Sequence, residues 1–180
     1  NIVTRKIHGC NETYFDATFN KNEMTSQIYY MGKIDIQHKC LDKMLKAINL
    51  TDYQIDVFGI GKDLDLIIKN KAIKYMGKSE DPMKDLKKYG IYVSFSHLEG
   101  VCTATVEALL MHKKAILVDA PCNEIFKKYH NTYFFKSEKE FVNVLNLAIK
   151  DPSIRRDPML SDFRWDNCNK VFYRELQKFM

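Results

Sequence analysis

The chain has 180 residues, 46% hydrophobic and 28% charged, which is enough for one domain with a buried core and too balanced for disorder. Lys and Arg number 28 against 23 Asp and Glu, a net charge of +5, and only 5 of the basic residues are Arg, a composition that argues against a nucleic-acid partner. Apolar runs reach about four residues, as in Ala108–Met111 and Ala115–Val118, whereas a membrane span needs roughly 20.

From Gln27 onward, short β-rich runs alternate with amphipathic helical runs. Gln27–Met31 reads as a strand. Lys39–Leu50 reads as a helix, with Leu41, Met44, Leu45 and Ile48 at i, i+3, i+4 and i+7. Gln54–Ile60 is a strand running into Gly59 and Gly61, and Lys62–Lys71 a helix with Leu64, Ile67 and Ile68 facing inward. Ile73–Met76 is a short strand. Asp81 and Pro82 form an N-cap and N1 pair that opens a helix through Lys88. Ile91–Phe95 is a strand, Thr103–Met111 a helix, Ala115–Asp119 a strand, Asn123–Lys128 a short helix, Thr132–Phe135 a strand and Glu138–Lys150 a helix. Pro152 and Pro158 then break the chain before a last helix from Trp165 to Met180, with Val171, Phe172, Leu176 and Phe179 apolar.

Six strands, each followed by a helix, predict a Rossmann-like, doubly wound α/β domain with a mostly parallel sheet and helices on both faces. The domain spans 27–150. Residues 1–26 are polar and irregular and read as a lead-in segment, and 151–180 as a C-terminal helical segment packing on the domain. Five cysteines without a C-x-x-C pair (Cys10, Cys40, Cys102, Cys122, Cys168) predict reduced thiols, and so a cytoplasmic location or a cytosol-facing membrane surface. The sequence opens without a signal-peptide apolar region.

Ligands of such sheets bind at the carboxyl ends of the strands, so the loops beginning near Gly32, Gly59, Gly77, Ser96, Asp119 and Lys136 matter most. The five histidines form no close ligand pair, and no metal site is predicted. No G-x-S-x-G elbow is present. Two phosphate motifs fall short. Gly59-Ile60-Gly61 lacks the third glycine of a dinucleotide fingerprint, because Leu64 stands there, and a tight strand-to-helix turn explains both glycines. Gly77-Lys78-Ser79 mimics the end of a P-loop, yet Ala72 replaces the leading glycine.

The strongest local feature runs from Ser96 to Leu109. Seven residues separate Glu99, in a loop, from Glu107, inside the following helix. The backbone between them crosses a helix N-terminus, where unpaired N–H groups and the helix dipole favour phosphate oxygens. A carboxylate facing the crevice can accept hydrogen bonds from vicinal sugar hydroxyls. The arrangement suits a nucleotide-sugar, with its diphosphate on the helix terminus. On spacing alone, an ordinary helix with an acid near its start accounts for the pair more simply.

The motif resembles the E-x7-E donor site of retaining GT-B glycosyltransferases, glycosyltransferase family 4. Val101-Cys102-Thr103-Ala104-Thr105-Val106-Glu107-Ala108-Leu109 resembles the V-C-T-A-T-A-E-A-L segment of the galactolipid-making branch, the digalactosyldiacylglycerol synthases. Ala120–Lys127 resembles their H-P-S-N-E-F-F-K, Asp56–Asp63 their D-V-Y-G-N-G-E-D, His8–Phe15 their H-G-V-N-x-x-F, and Phe163-Arg164-Trp165 the S-W near their end. The resemblance implies that this chain is the C-terminal, donor-binding half of such an enzyme, with the N-terminal acceptor half outside this sequence. It implies that Glu107 holds the ribose and Glu99 contacts the donor sugar. Gly100, Val101, Cys102 and Thr103 would face the diphosphate. It also implies a basic pair of the pattern G-K-x-x-x-x-K-G. Gly32 and Lys33 match, Lys39 falls one residue late with His38 in the expected place, and Cys40 replaces the glycine. Loops at Gly59 and at Gly77-Lys78 would bracket the nucleobase. The implied activity is retaining hexosyl transfer from UDP-galactose or UDP-glucose, with no cofactor beyond the donor and no metal. The implied partners are a separate acceptor domain and a peripheral glycolipid surface. The competing readings are a non-catalytic module that keeps the donor site and an interaction protein that keeps only the fold.

Overall fold

The computed structural model describes residues 9–16, 24–153 and 157–179. His8, the rest of 1–8, residues 17–23, 154–156 and Met180 lie outside the described residues, and with them much of the predicted lead-in segment.

The chain runs α1 (Thr13–Asp16), β1 (Ile28–Met31), α2 (Ile36–Lys39), α3 (Leu41–Ile48), β2 (Ile55–Phe58), α4 (Leu64–Ile67), β3 (Ile73–Gly77), α5 (Pro82–Asp85), β4 (Ile91–Ser94), α6 (Thr103–Leu110), β5 (Lys114–Val118), β6 (Thr132–Phe135), α7 (Glu138–Lys150) and α8 (Trp165–Leu176). Single 3₁₀ segments at Pro121–Phe126 and Pro158–Phe163 link the last elements. All six strands are parallel, in the order β3-β2-β1-β4-β5-β6. The doubly wound α/β fold expected from the sequence is therefore the one present.

The burial pattern follows from that order. β2, β4 and β5 are buried at every position, as interior strands of a sheet covered on both faces must be. The edge strand β3 alternates instead. Helices α3 and α7 lie together on one face, over a core that includes Ile28, Val57, Val93, Ile116 and Phe141. The other face carries α6 and a belt of aromatic side chains, Tyr29, Phe58, Tyr89 and Tyr92. Asp56, inside β2, is carried into that belt by a 2.5 Å hydrogen bond from the Tyr89 hydroxyl. Lys113 and Lys114 are also buried: the first donates to the Lys87 carbonyl, and the second reaches the Ala148 and Asp151 carbonyls at the end of α7.

Where β1 meets β4 the strand order reverses, and this ladder is short. Only Ile28 and Tyr29 have partners on β4, whereas β1 pairs with β2 through Met31. The strands part beyond that point, and their loops diverge to opposite faces. On the β1–β2 side the opposite holds, because pairing continues past the strands through Gly32 N to Phe58 O and Ile34 N to Ile60 O. A Cβ on Gly59 would lie 1.9 Å from the Gly32 carbonyl oxygen, and one on Gly61 2.0 Å from that of Ile34. These glycines permit two loop backbones to touch, a closer form of the tight turn expected for them.

Several elements differ from the sequence expectations. The helix predicted over 39–50 is two helices broken at Cys40, whose φ is +50°. Ile68, expected inward, is 46% exposed, because α4 ends at Ile67 and only Ile67 is buried there. The lead-in segment is not wholly irregular. It forms α1, buries Tyr14 and Phe15, and joins the C-terminal segment: Cys10 N donates to Phe163 O, Trp165 covers Gly9, and Arg164 bridges Glu12 and Asp16. Among the described residues of α8 only Cys168 is buried, while Phe172 and Leu176 stay exposed. No helix among the described residues is long and apolar enough to cross a membrane.

Gly59 combines a φ of +138° with that backbone contact, so no rotamer relieves an added methyl. Gly59→Ala is expected to lower stability by about 2–4 kcal/mol, measured by urea unfolding. A loss under about 0.5 kcal/mol would show that the loops can separate.

Candidate functional site

The parting of β1 and β4 leaves a crevice at the carboxyl edge of the sheet, with two adjoining cavities that share Met31, Gly32 and Lys33. The first, about 240 Å³, lies between the loop after β1 and the start of α6, and Lys33, Lys39, Glu99, Val101, Cys102 and Thr103 line it. The second, about 250 Å³, lies over the ends of β2 and β3, against Phe58, Gly59, Ile60, Lys78 and Ser79.

The loop after β1 is built around Asp35. This buried carboxylate caps α2 by accepting from His38 N, and Lys33, His38 and Lys62 approach it at 3.6, 3.1 and 3.6 Å. The His38 backbone hydrogen bond is the main influence holding its pKa down at about 2. The Tyr30 hydroxyl donates to the Lys33 carbonyl from below, and Asp63 accepts from Ile36 N. His38 is thus turned outward toward Asp35, and Lys39 is turned inward. The left-handed Cys40 takes a conformation suited to glycine, which fits its place opposite the glycine of the family pattern. Lys39 then lines the crevice one residue later than that pattern has its lysine.

Lys39 Nζ meets Glu99 Oε1, with the two side chains 23% and 15% exposed. The loop carrying Glu99 is tied to the same neighbourhood by two further contacts. Ser96 Oγ donates to the His38 carbonyl at 3.2 Å, and His97 Nε2 lies 3.3 Å from Lys43 Nζ. Burial, and then the Lys43 charge, hold the His97 pKa below its ordinary value. Helix α6 begins at Thr103, and its N-cap Cys102 makes no side-chain capping hydrogen bond; Thr105 N and Val106 N turn back to the Cys102 carbonyl, which leaves the N–H groups of Thr103 and Ala104 without a partner within the helix beside the cavity. Thr103 is exposed beside them.

Not every expected residue reaches the cavity walls. Gly100 is exposed beside the first cavity, Gly77 ends β3 with a φ of +83°, and neither lines a cavity. Glu107 lies deeper in α6, half-buried, facing Cys10, Tyr14 and Tyr29, whose ionisation its charge opposes. Burial alone raises its own pKa to about 7. Tyr30, Tyr92 and Ser94 line the first cavity and were not singled out from the sequence. Tyr92 and Ser94 share a face of β4 and close its carboxyl end, and that parity was the available signal. No group of three or more metal-ligating side chains comes together among the described residues.

No family model matches the chain. It is 26% identical to digalactosyldiacylglycerol synthase 2 of Lotus japonicus over 98% of its own length, and 26% identical to digalactosyldiacylglycerol synthase 1 of Arabidopsis thaliana over 99%. It spans 42% and 24% of those relatives, both described as chloroplastic. Among solved structures it superposes on the lipopolysaccharide outer core galactosyltransferase WaaB with a TM-score of 0.74 at 16% identity, covering 90% of this chain and 52% of that one. Anabaena Alr3699/HepE, solved in complex with UDP and glucose, gives a TM-score of 0.71 at 14% identity, covering 86% and 48%. The resemblance read from the motifs therefore extends over nearly the whole chain, and the fold is that of the C-terminal half of GT-B glycosyltransferases.

The Glu107 carboxyl ionises near pH 4.5 in the unfolded chain and near 7 in the folded one. Below both values it is protonated in both states and has no effect on stability. Between them the unfolded state loses its proton first, so stability falls as pH rises, and the full cost is present above pH 7. Glu107→Gln removes this cost. It is expected to stabilise the domain by on the order of 1–3 kcal/mol at pH 8 and by almost nothing at pH 4. Equal unfolding midpoints for the two proteins at pH 8 would show that the carboxylate is solvated after all.

Proposed function

On the premise of that fold, we propose that the chain is the donor-binding domain of a retaining hexosyltransferase that uses UDP-galactose or UDP-glucose, with a glycolipid as acceptor. The observation that carries this reading is the meeting of Lys39 and Glu99 at the uncapped start of α6, inside the crevice where the strand order reverses. A cation and a helix N-terminus stand side by side there, as a diphosphate requires, with a carboxylate beside them to accept sugar hydroxyls. In this reading Lys33, Lys39 and the backbone from Gly100 to Thr103 hold the diphosphate, and Glu99 orients the sugar. The second cavity, with Gly59 and Lys78 at its wall and Gly77 behind, takes the nucleobase. As the glycosidic bond breaks, negative charge grows on the departing diphosphate, where the lysines and the helix terminus already point. The donor is a substrate, and no separate cofactor enters the scheme.

Glu107 is assigned to the ribose. Its carboxylate is half-buried, its pKa is raised by burial alone, and among the described residues no hydrogen bond or ion pair is recorded for its side chain. Such a group costs stability until a ligand supplies donors, and two vicinal hydroxyls would do so. The galactolipid acceptor is inferred from the digalactosyldiacylglycerol synthases that the chain resembles. Because the chain spans less than half of those relatives, the acceptor surface is assigned to a further domain or partner, which closes over the donor at a glycolipid-bearing membrane.

Calorimetry tests the ribose assignment. Glu107→Ala should weaken UDP binding about ten- to a hundredfold in a protein that stays folded. Unchanged UDP affinity would remove Glu107 from the site. The 180-residue chain should bind a UDP-sugar with a Kd on the order of micromolar to millimolar, without transferring the sugar. The acceptor side contributes proximity and orientation worth roughly 7–11 kcal/mol of a barrier. Acceptor-dependent transfer of radiolabel from UDP-galactose by this chain alone would contradict the half-enzyme reading.

A further inference from the structure

Lys39 and Glu99 form an ion pair inside the crevice, and it is not the sole contact between their loops. The Ser96–His38 and Lys43–His97 contacts already join the two loops, and the left-handed turn at Cys40 sets the direction of Lys39. The pair sits at the mouth of α6, where any diphosphate must settle. Each partner therefore occupies the place of a ligand group: the carboxylate stands in for a phosphate at Lys39, and the ammonium for a sugar hydroxyl at Glu99.

Resting on the nucleotide-sugar reading above, we infer that the Lys39–Glu99 pair is exchanged on binding and makes the site favour the intact donor over the nucleoside diphosphate left after transfer. Either ligand draws Lys39 away from Glu99. With a UDP-sugar, hydroxyl groups of the sugar donate to the Glu99 carboxylate and replace the hydrogen bond it has lost. With UDP, no such donor arrives, and the free terminal phosphate adds negative charge next to Glu99 in a crevice partly shielded from water. The product is thus held less firmly than the substrate by the same cation, which promotes its release. The step is an exchange of hydrogen bonds and ion pairs, with no covalent change.

The test compares UDP and UDP-glucose binding by calorimetry for the unaltered chain, Glu99→Gln, Lys39→Gln and the double variant, with thermal melts to confirm folding. Glu99→Gln should tighten UDP about three- to tenfold while UDP-glucose is unchanged or weaker, so that the preference for the donor collapses. The tightening should be larger with Lys39 present than in the Lys39→Gln background, because only then is a pair given up on binding. Equal tightening in both backgrounds would mean that Glu99 acts by repulsion alone and would overturn the exchange. Loss of affinity for both ligands in Glu99→Gln would overturn it too. If the unaltered chain binds neither ligand, the nucleotide-sugar reading fails and this inference with it. If it binds both and Glu99→Gln changes nothing, only the inference fails.

Discussion

Two residue pairs join β1 to β4, and everything about the crevice depends on that ladder ending so early. A parallel sheet sends its crossover helices to one face or the other. Here α3 follows β1 to one side and α6 follows β4 to the opposite side, so no connection covers the strand ends between them. Between β1 and β2 the backbones instead touch at Gly32 and Gly59, and that contact forms part of the wall of the second cavity. The opening is therefore a product of topology, bounded on one side by glycines that allow a contact a side chain would prevent.

Cations of the crevice gather on two carboxylates. Lys39 is engaged with Glu99, and Lys33, His38 and Lys62 gather on the buried Asp35. Asp35 can hold its charge while buried because a backbone N–H and several cations face it. Glu107 is the contrasting case, a half-buried carboxylate whose pKa is raised by burial, with no cation among the described residues that opposes the shift. A neutral side chain there would avoid that cost, and under the proposed ribose role the carboxylate is retained for binding at the expense of stability.

The described segments 9–16 and 157–176 are structural parts of the domain. Arg164 pairs with Glu12 and Asp16 and lies over the Phe15 ring, while Tyr14 and Phe15 fill the aromatic side of the core against α6. Because Tyr14 and Cys10 feel the charge of Glu107, this junction also forms part of that carboxylate's surroundings. The surroundings of Glu107 thus include Cys10 and Tyr14, more than ninety positions away in sequence.

Alternating strand and helix periodicities were enough to place the six strands of the parallel sheet and the loops at its carboxyl edge, because the period of apolar residues is a local property, although the short helix expected at Asn123–Lys128 is a 3₁₀ segment at Pro121–Phe126. β6 and α7 fall where that pattern puts them, and the Asp81 cap and Pro82 start α5 as their chemistry requires. Residue spacing drew attention to Glu99 and Glu107 but was accounted for more simply by an ordinary helix, and Lys33 came only from the family resemblance. Spacing could not decide between His38 and Lys39, since that depended on Cys40 adopting a left-handed backbone, an uncommon state for a residue with a Cβ and invisible to periodicity. Nor could it show that α1 enters the core, because its apolar pair, Tyr14 and Phe15, is buried only by elements distant in sequence. The pairing of Lys39 with Glu99 and the burial of Glu107 are likewise tertiary facts. They join residues brought together by strand order, and the electrostatic environment of a carboxylate is set by what folds around it.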